Sequence, residues 1–123
     1  MTRTRASAKA AGSRFERSIA DALATHIDDR IDRRVKTGAA DRGDIGGLRV
    51  FGERVTIECK DYGGRYLVGP WLTEAEAERG NDDGIAGVVI AKRRGTTDPL
   101  DQVAFLTVRD LIALLTGQRP IPL

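Results

Sequence analysis

The chain has 123 residues and a net charge of +2, with 41% apolar and 31% charged residues, which suits one folded domain and excludes wholesale disorder. No apolar run approaches the roughly 20 residues of a membrane span. One cysteine and one histidine exclude an internal disulfide, a Cys-rich zinc site and two-His metal motifs. We therefore expect a soluble, cytoplasmic protein that relies on carboxylate, lysine and arginine chemistry.

Residues 1–11 are basic and rich in Ala and Ser, without an apolar signal core, and predict a flexible arm before a single domain at 12–123. Apolar residues at helical spacing predict a helix from Ser13 to Ile27, and Ser13 with Glu16 fits a capping box. The later predicted elements are a short strand at 31–37, a glycine-rich turn at 38–43, strands at 44–51 and 54–60, a helix at 70–79, strands at 85–91 and 103–107, and a helix at 108–116. This order predicts a mixed α/β fold, with a central mixed β-sheet flanked by helices.

The strand at 54–60 contains the most informative segment of the chain, Val-Thr-Ile-Glu-Cys-Lys. Side chains alternate between the two faces of a strand, so Glu58 and Lys60 share the polar face. Asp44 stands at the start of the preceding strand. If the two strands form a hairpin, Asp44 returns to the level of Lys60, and two carboxylates and one lysine converge.

This convergence has a clear chemical use. Asp44 and Glu58 supply hard oxygen ligands for Mg²⁺, which acidifies a bound water and neutralises charge on a phosphate. Lys60 can stabilise the transition state, and the backbone carbonyl of Cys59 can add a ligand if the end of the strand lacks a ladder partner. The alternative is a surface ion pair of Glu58 and Lys60, with Asp44 as a turn residue.

The register of the hairpin decides whether Asp44 and Glu58 share a face. A regular two-residue turn at Gly52-Glu53 would place Asp44 on the wrong side, because a one-residue slip moves every side chain to the other face. A three-residue loop at 51–53, or a bulge at Gly46-Gly47, restores the alignment. We predict one of these two devices.

Basic residues cluster in three places: Arg3, Arg5, Lys9 and Arg14; then Arg30, Arg33, Arg34, Lys36 and Arg42; then Lys92, Arg93 and Arg94. Such patches suit a polyanion such as nucleic acid. A solvated, solubilising surface is the alternative for each cluster taken alone.

The predicted helix at 70–79 contains three glutamates and a Trp-Leu pair. Glu74, Glu76 and Glu78 have no His or Asp partner nearby in the sequence, and we expect them on a solvated face. Trp71-Leu72 belongs either to the core or to a dimer contact.

The ordered set Gly43-Asp44-Ile45, a hairpin and Glu58-Cys59-Lys60, after a helix with Phe15-Glu16-Arg17, resembles the PD-(D/E)XK nuclease superfamily. Within it the chain is most similar to the small Holliday-junction resolvases of archaeal and phage type, and the likeness extends over residues 9–94. A strand and turn at 33–38 also fit their pattern. Gly43 stands where the family pattern has proline.

The resemblance implies a restriction-endonuclease-like core and a Mg²⁺ cofactor, with Mn²⁺ able to substitute. It makes Asp44 and Glu58 metal ligands, Lys60 the catalytic lysine, and Glu16 an outer or second-metal ligand. The residues then expected to contact DNA are Arg3, Arg5, Lys9, Arg14, Arg17, Arg33, Arg34, Lys36 and Thr37.

The implied activity is structure-specific cleavage of four-way DNA junctions, as in recombination and repair. Two symmetric cuts need two sites, so we expect a homodimer, with Trp71-Leu72 and the tail at 121–123 as candidate contacts. A phage-encoded member would act in the host cytoplasm. Two alternatives stay open: a nuclease for linear, nicked or flapped DNA, and a catalytically inert DNA-binding module.

Overall fold

The computed structural model describes residues 3–35 and 40–122. This part of the chain forms a six-stranded mixed sheet flanked by three α-helices, which confirms the predicted mixed α/β class. The elements are α1 (Arg5–His26), β1 (Asp32–Arg33), β2 (Ile45–Gly46), β3 (Arg49–Val50), β4 (Glu53–Lys60), α2 (Val68–Asp82), β5 (Ala86–Ala91), a 3₁₀ turn (Pro99–Asp101), β6 (Val103–Phe105) and α3 (Val108–Thr116).

The strands lie in the order β1-β2-β4-β5-β6, and β3 also pairs with β4. The central strands β4 and β5 are parallel, from Val55 opposite Ala86 to Lys60 opposite Ala91, and the other pairs are antiparallel. Parallel neighbours need a crossover connection, and α2 provides it. The helix is thereby set against the two strands that it joins.

The two faces of the sheet carry separate apolar clusters. Phe15 and Ile19 of α1 pack in a cluster with Ile57 of β4. On the other face, Trp71 of α2 packs in a cluster with Val89 of β5. Because side chains alternate along a strand, the even-numbered residues of β4 face α2.

The helix α1 begins eight residues before the predicted start. Thr4 is its N-cap, and the Thr4 side chain accepts a hydrogen bond from the Ser7 backbone N–H at 3.0 Å. An alanine-rich segment with strong helix propensity follows, so residues 5–11 form helical turns instead of a flexible arm. Ser13 lies inside the helix, and the predicted capping box with Glu16 is wrong.

The predicted strand at 44–51 is interrupted by a bulge. Ile45 pairs with Ile57, and Arg49 pairs with Arg54, so the three residues 46–48 lie opposite the two residues 55–56. The predicted bulge at Gly46-Gly47 is therefore confirmed. The hairpin loop has two residues, Phe51 and Gly52, with φ of 53° and 74°, one position earlier than the turn that we considered.

The structure also decides between the two interpretations of Trp71. Its side chain is 2% exposed and contacts Tyr62, with ring centroids 5.1 Å apart and ring planes tilted by 60°. Leu72 packs against the same apolar cluster. Trp71 is a core residue, and its proposal as a dimer contact is wrong.

Candidate active site

The even-numbered side chains of β4 and one stripe of α2 meet as a ladder of polar pairs. Four residues of an α-helix advance about 6.0 Å, and two residues of a strand advance about 6.6 Å. Successive turns of α2 therefore align with successive same-face residues of β4. The pairs are Lys60 with Glu74, Glu58 with Glu78, and Thr56 with Asp82.

Three carboxylates converge at the middle of this ladder. Asp41, Glu58 and Glu78 each place an oxygen atom within 4.8 Å of the other two. Glu58 is 6% exposed and Glu78 is 7% exposed, and their Oε2 atoms accept no hydrogen bond from any residue that the structure describes. Asp41 is exposed in the loop before β2, so the group is open to solvent on that side.

Asp44 joins this group from the start of β2. Its backbone N–H donates to Ile57 O at 2.8 Å, and its Oδ2 accepts from the Cys59 N–H at 2.8 Å. Its carboxyl also interacts with that of Glu58. The structure thus brings the two predicted carboxylates together, and we call Asp41, Asp44, Glu58 and Glu78 the carboxylate cluster.

The crowding of acids shifts the titration of the two buried glutamates. Burial, together with the carboxyls of Asp44 and Glu78, raises the pKa of Glu58 to about 12. Burial and the charge of Asp41 raise the pKa of Glu78 as well. Ionised carboxylates in such a place need compensating positive charge, which a divalent cation could supply.

Lys60 lies on the same strand face as Glu58 and, like Glu58, points toward α2. Its Nζ is 2.6 Å from Glu74 Oε2. Burial acts to lower the pKa of Lys60, but the hydrogen bond to Glu74 and the charges of Glu58 and Glu74 outweigh it, and the pKa is raised. The side chain is therefore a protonated ammonium group at neutral pH.

Glu16 and Cys59, the two other predicted site residues, do not lie in the ladder between β4 and α2. Glu16 is on α1, which packs on the opposite face of the sheet from α2, and its carboxylate pairs with Arg33 at 3.3 Å. Cys59 is paired with Ile90 inside the β4–β5 ladder. The backbone N–H of Cys59 donates to the side chain of Asp44, and both the free Cys59 carbonyl and the roles of Cys59 and Glu16 as ligands stay predictions.

Several predicted DNA contacts share one cavity of about 610 Å³ on the α1 side. The predicted residues that line it are Lys9, Glu16, Arg17, Arg33 and Arg34. Most of these cations are already in ion pairs: Arg17 with Asp32 at 2.7 Å, Arg33 with Glu16, and Arg34 with Asp82 at 2.9 Å. Such pairs lower the net charge that this cavity offers to a phosphate.

The remaining predicted contacts divide into three groups. Arg3 pairs with Asp61 at 3.1 Å. Arg5, Lys9 and Arg14 are exposed and form no ion pair within 3–35 and 40–122, so they are the freest cations of the predicted set. Lys36 and Thr37 lie outside the described residues.

Sequence reasoning missed four side chains of this region: Asp41, Glu74, Glu78 and Asp82. The expected solvated face is wrong for Glu78, which is buried, and holds for the exposed Glu74 and Glu76. A signal was present, because Trp71, Ala75, Glu78 and Asp82 follow the spacing of one buried helix stripe. Asp41 carries no such signal, since it lies in a loop.

Comparisons with models of known protein families, with curated proteins and with solved structures found no match. Within the described residues, none of the helices is long and apolar enough to cross a membrane.

Proposed function

We propose that the protein is a Mg²⁺-dependent DNA endonuclease whose centre is the carboxylate cluster. One observation supports this proposal above the others: Glu58 and Glu78 bury oxygen atoms that accept no hydrogen bond from a described residue, beside Asp41 and on the strand face that bears Lys60. Hard carboxylate oxygens are the ligands that Mg²⁺ prefers, so the donor set fits this ion.

Each part of the site has a separate task in this proposal. Bound Mg²⁺ would supply positive charge at the scissile phosphate and a more acidic water. Lys60 remains protonated and stabilises the negative charge that develops on the phosphoryl oxygens. Glu74, at 2.6 Å from Nζ, fixes the direction of the ammonium group. Glu58 and Glu78 would hold the ion, and Asp41 and Asp44 are the further carboxylates available to it.

The substrate that we propose is a four-way DNA junction, and the support is the resemblance of the ordered residues Asp44, Glu58 and Lys60 to the junction resolvases. A junction is resolved by two symmetric cuts, so the proposal includes a homodimer with one site in each protomer. Cleavage of cellular DNA junctions also implies action in the cytoplasm.

The test is cleavage of a synthetic four-way junction beside duplex, nicked and flapped DNA, in Mg²⁺, in Mn²⁺ and in EDTA. We expect paired cuts near the junction centre in either metal and none in EDTA. Glu58→Gln, Asp44→Asn and Lys60→Ala should each lower the rate at least about 10²-fold, the usual cost of losing one charge-stabilising group.

Glu53→Gln is the matched control, because Glu53 is on the same strand but exposed, and it should cut at the rate of the unmodified protein. Equal cleavage of duplex and junction DNA would replace the junction substrate with linear or flapped DNA. Metal-independent binding with no cleavage of any substrate would leave the inert DNA-binding module.

A further inference from the structure

We propose that a second cavity, beside the carboxylate cluster, is a binding site for a phosphate group. The cavity has a volume of about 390 Å³ and lies between the β3–β4 hairpin and the end of α2. Its charged lining residues are Arg34, Arg42, Arg49, Arg54 and Asp82. Four guanidinium groups around one cavity are the donor set that suits a phosphate.

Asp82 is the one acid among the described residues of this lining, and its carboxylate already has partners. Asp82 is 2% exposed. Its Oδ1 accepts from Arg34 Nη1 at 2.9 Å, and its Oδ2 accepts from Thr56 Oγ1 at 3.0 Å. Asp82 balances the charge of Arg34. The other three arginines, Arg42, Arg49 and Arg54, have no carboxylate partner among the described lining residues.

The positive charges of these three arginines are not balanced by a carboxylate of the described lining. Arg49 and Arg54 are directly opposed in the β3–β4 ladder, where like charges repel. Their side chains donate to main-chain carbonyls, Arg49 Nη1 to Gly52 O and Arg54 Nη1 to Asp82 O, each at 3.1 Å. Arg42 is exposed and pairs with no described carboxylate. A phosphate between these groups would remove the repulsion and accept their remaining N–H donors.

The place of the cavity indicates where its phosphate comes from. Arg42 directly follows Asp41 of the carboxylate cluster, and Arg34 Nη1 also donates to Arg42 O at 2.6 Å. Asp82 lies one helical turn beyond Glu78 on α2. This part of the inference rests on the proposed function: a strand cut at the cluster would place a neighbouring backbone phosphate in the cavity.

The test uses Arg42→Gln and Arg49→Gln, which leave the Asp82 contacts intact, and Arg109→Gln as the matched control on the exposed side of α3. Binding of fluorescent junction and duplex DNA is measured by anisotropy in EDTA at several salt concentrations. Each cavity variant should lower the slope of log K against log salt by about 0.9, the value for one phosphate contact on duplex DNA. The control should keep the original slope.

A second arm measures the melting temperature with inorganic phosphate against the same concentration of chloride. We expect phosphate to stabilise the unmodified protein and the control, and to stabilise the cavity variants less. Stabilisation by phosphate that the variants lose, with unchanged DNA slopes, would assign the cavity to a free phosphate and overturn nucleic acid as its source. Unchanged behaviour of both variants in both arms would overturn the site itself.

The assays in EDTA separate this inference from the proposed function. DNA binding that depends on Arg42 and Arg49 in a protein that never cuts DNA would refute the nuclease and keep the phosphate site. Metal-dependent cleavage by a protein whose cavity variants bind DNA normally would do the reverse.

Discussion

The backbone conformation of Gly43 positions Asp44 at the carboxylate cluster. Its φ is +93°, and a Cβ at this position would lie 2.7 Å from Ile57 O. Proline is held near a φ of about −65° and cannot adopt this conformation. Glycine at this position therefore has a local cause, since this backbone brings Asp44 against β4.

Gly43→Ala should destabilise the protein by at least about 1–2 kcal/mol, the cost of a left-handed conformation for an L-residue, and should displace Asp44. Gly12→Ala is the control, because Gly12 is inside α1 with no atom near its added Cβ; it should stabilise by about 0.5–1 kcal/mol. Urea unfolding measures both. Equal stability of the two variants would contradict this account of Gly43.

The raised pKa of Glu58 predicts that the folded protein loses stability as the pH rises. The pKa of Glu58 is raised from an ordinary 4.5 to about 12 by burial and by its acidic neighbours, so the folded protein binds this proton more tightly than the unfolded chain. In EDTA, stability should therefore fall as the pH rises from about 5 to about 8. Glu58→Gln should flatten the profile of the melting temperature.

Glu76 should have the opposite effect on the dependence of stability on pH. Its hydrogen bond with Arg79 lowers the pKa of Glu76, so its contribution is present above the ordinary glutamate pKa and is lost as the pH falls. Glu76→Gln should leave the decline between about pH 5 and pH 8 in place. A profile in EDTA that rises over this range, or that Glu58→Gln leaves unchanged, would show that Glu58 is ionised in the folded protein.

At the scale of elements, the alignment of α2 with β4 decides which acids meet. Glu78→Gln should raise the Mg²⁺ concentration needed for half-maximal cleavage by about tenfold or more, the loss typical even of an outer-sphere partner. Glu76→Gln, on the exposed side of the same helix, should leave that concentration unchanged. Cleavage titrated with Mg²⁺ measures both variants, and an unchanged midpoint for Glu78→Gln would remove this residue from the ion.

Sequence patterns foresee the elements whose signals are local. For α3 the predicted bounds 108–116 are confirmed, because Thr107 Oγ1 accepts from the Asp110 N–H at 3.2 Å at the start and Gly117 ends the helix with a φ of 76°. The start of α1 was missed because two helix-start signals compete, and Thr4 with the alanine-rich segment prevails over Ser13.

The residues of the candidate site also divide into those with a local sequence signal and those without one. Asp44, Glu58 and Lys60 follow from strand alternation and from a glycine pair that permits a bulge. The approach of Asp41 and Glu78 depends on how a loop and a helix pack over the sheet, which no periodicity of the strand contains. The resemblance makes Glu16 an outer or second-metal ligand, and in the structure its carboxylate pairs with Arg33 at 3.3 Å.

At the scale of the whole molecule, paired incision requires two sites, and we predict a homodimer. The tail is the remaining sequence-predicted contact, because Trp71 is buried within its own chain while Ile121 is 84% exposed; Leu123 lies outside the described residues. Ile121→Asp should shift the protein toward monomer in sedimentation velocity. Leu100→Asp, at an apolar side chain that is 63% exposed elsewhere, should not. An unmodified protein that is monomeric at every concentration would contradict the dimer.

The position of the bound ion would show whether the carboxylate cluster is the metal site. A crystal of the protein soaked in Mn²⁺, with anomalous scattering measured at the manganese edge, locates the metal without reference to activity. We predict an anomalous peak bounded by the carboxylates of Glu58 and Glu78, with Asp41 or Asp44 at its edge. A crystal with no peak at these side chains, or with its peak at Glu16 on the far face of the sheet, would contradict it.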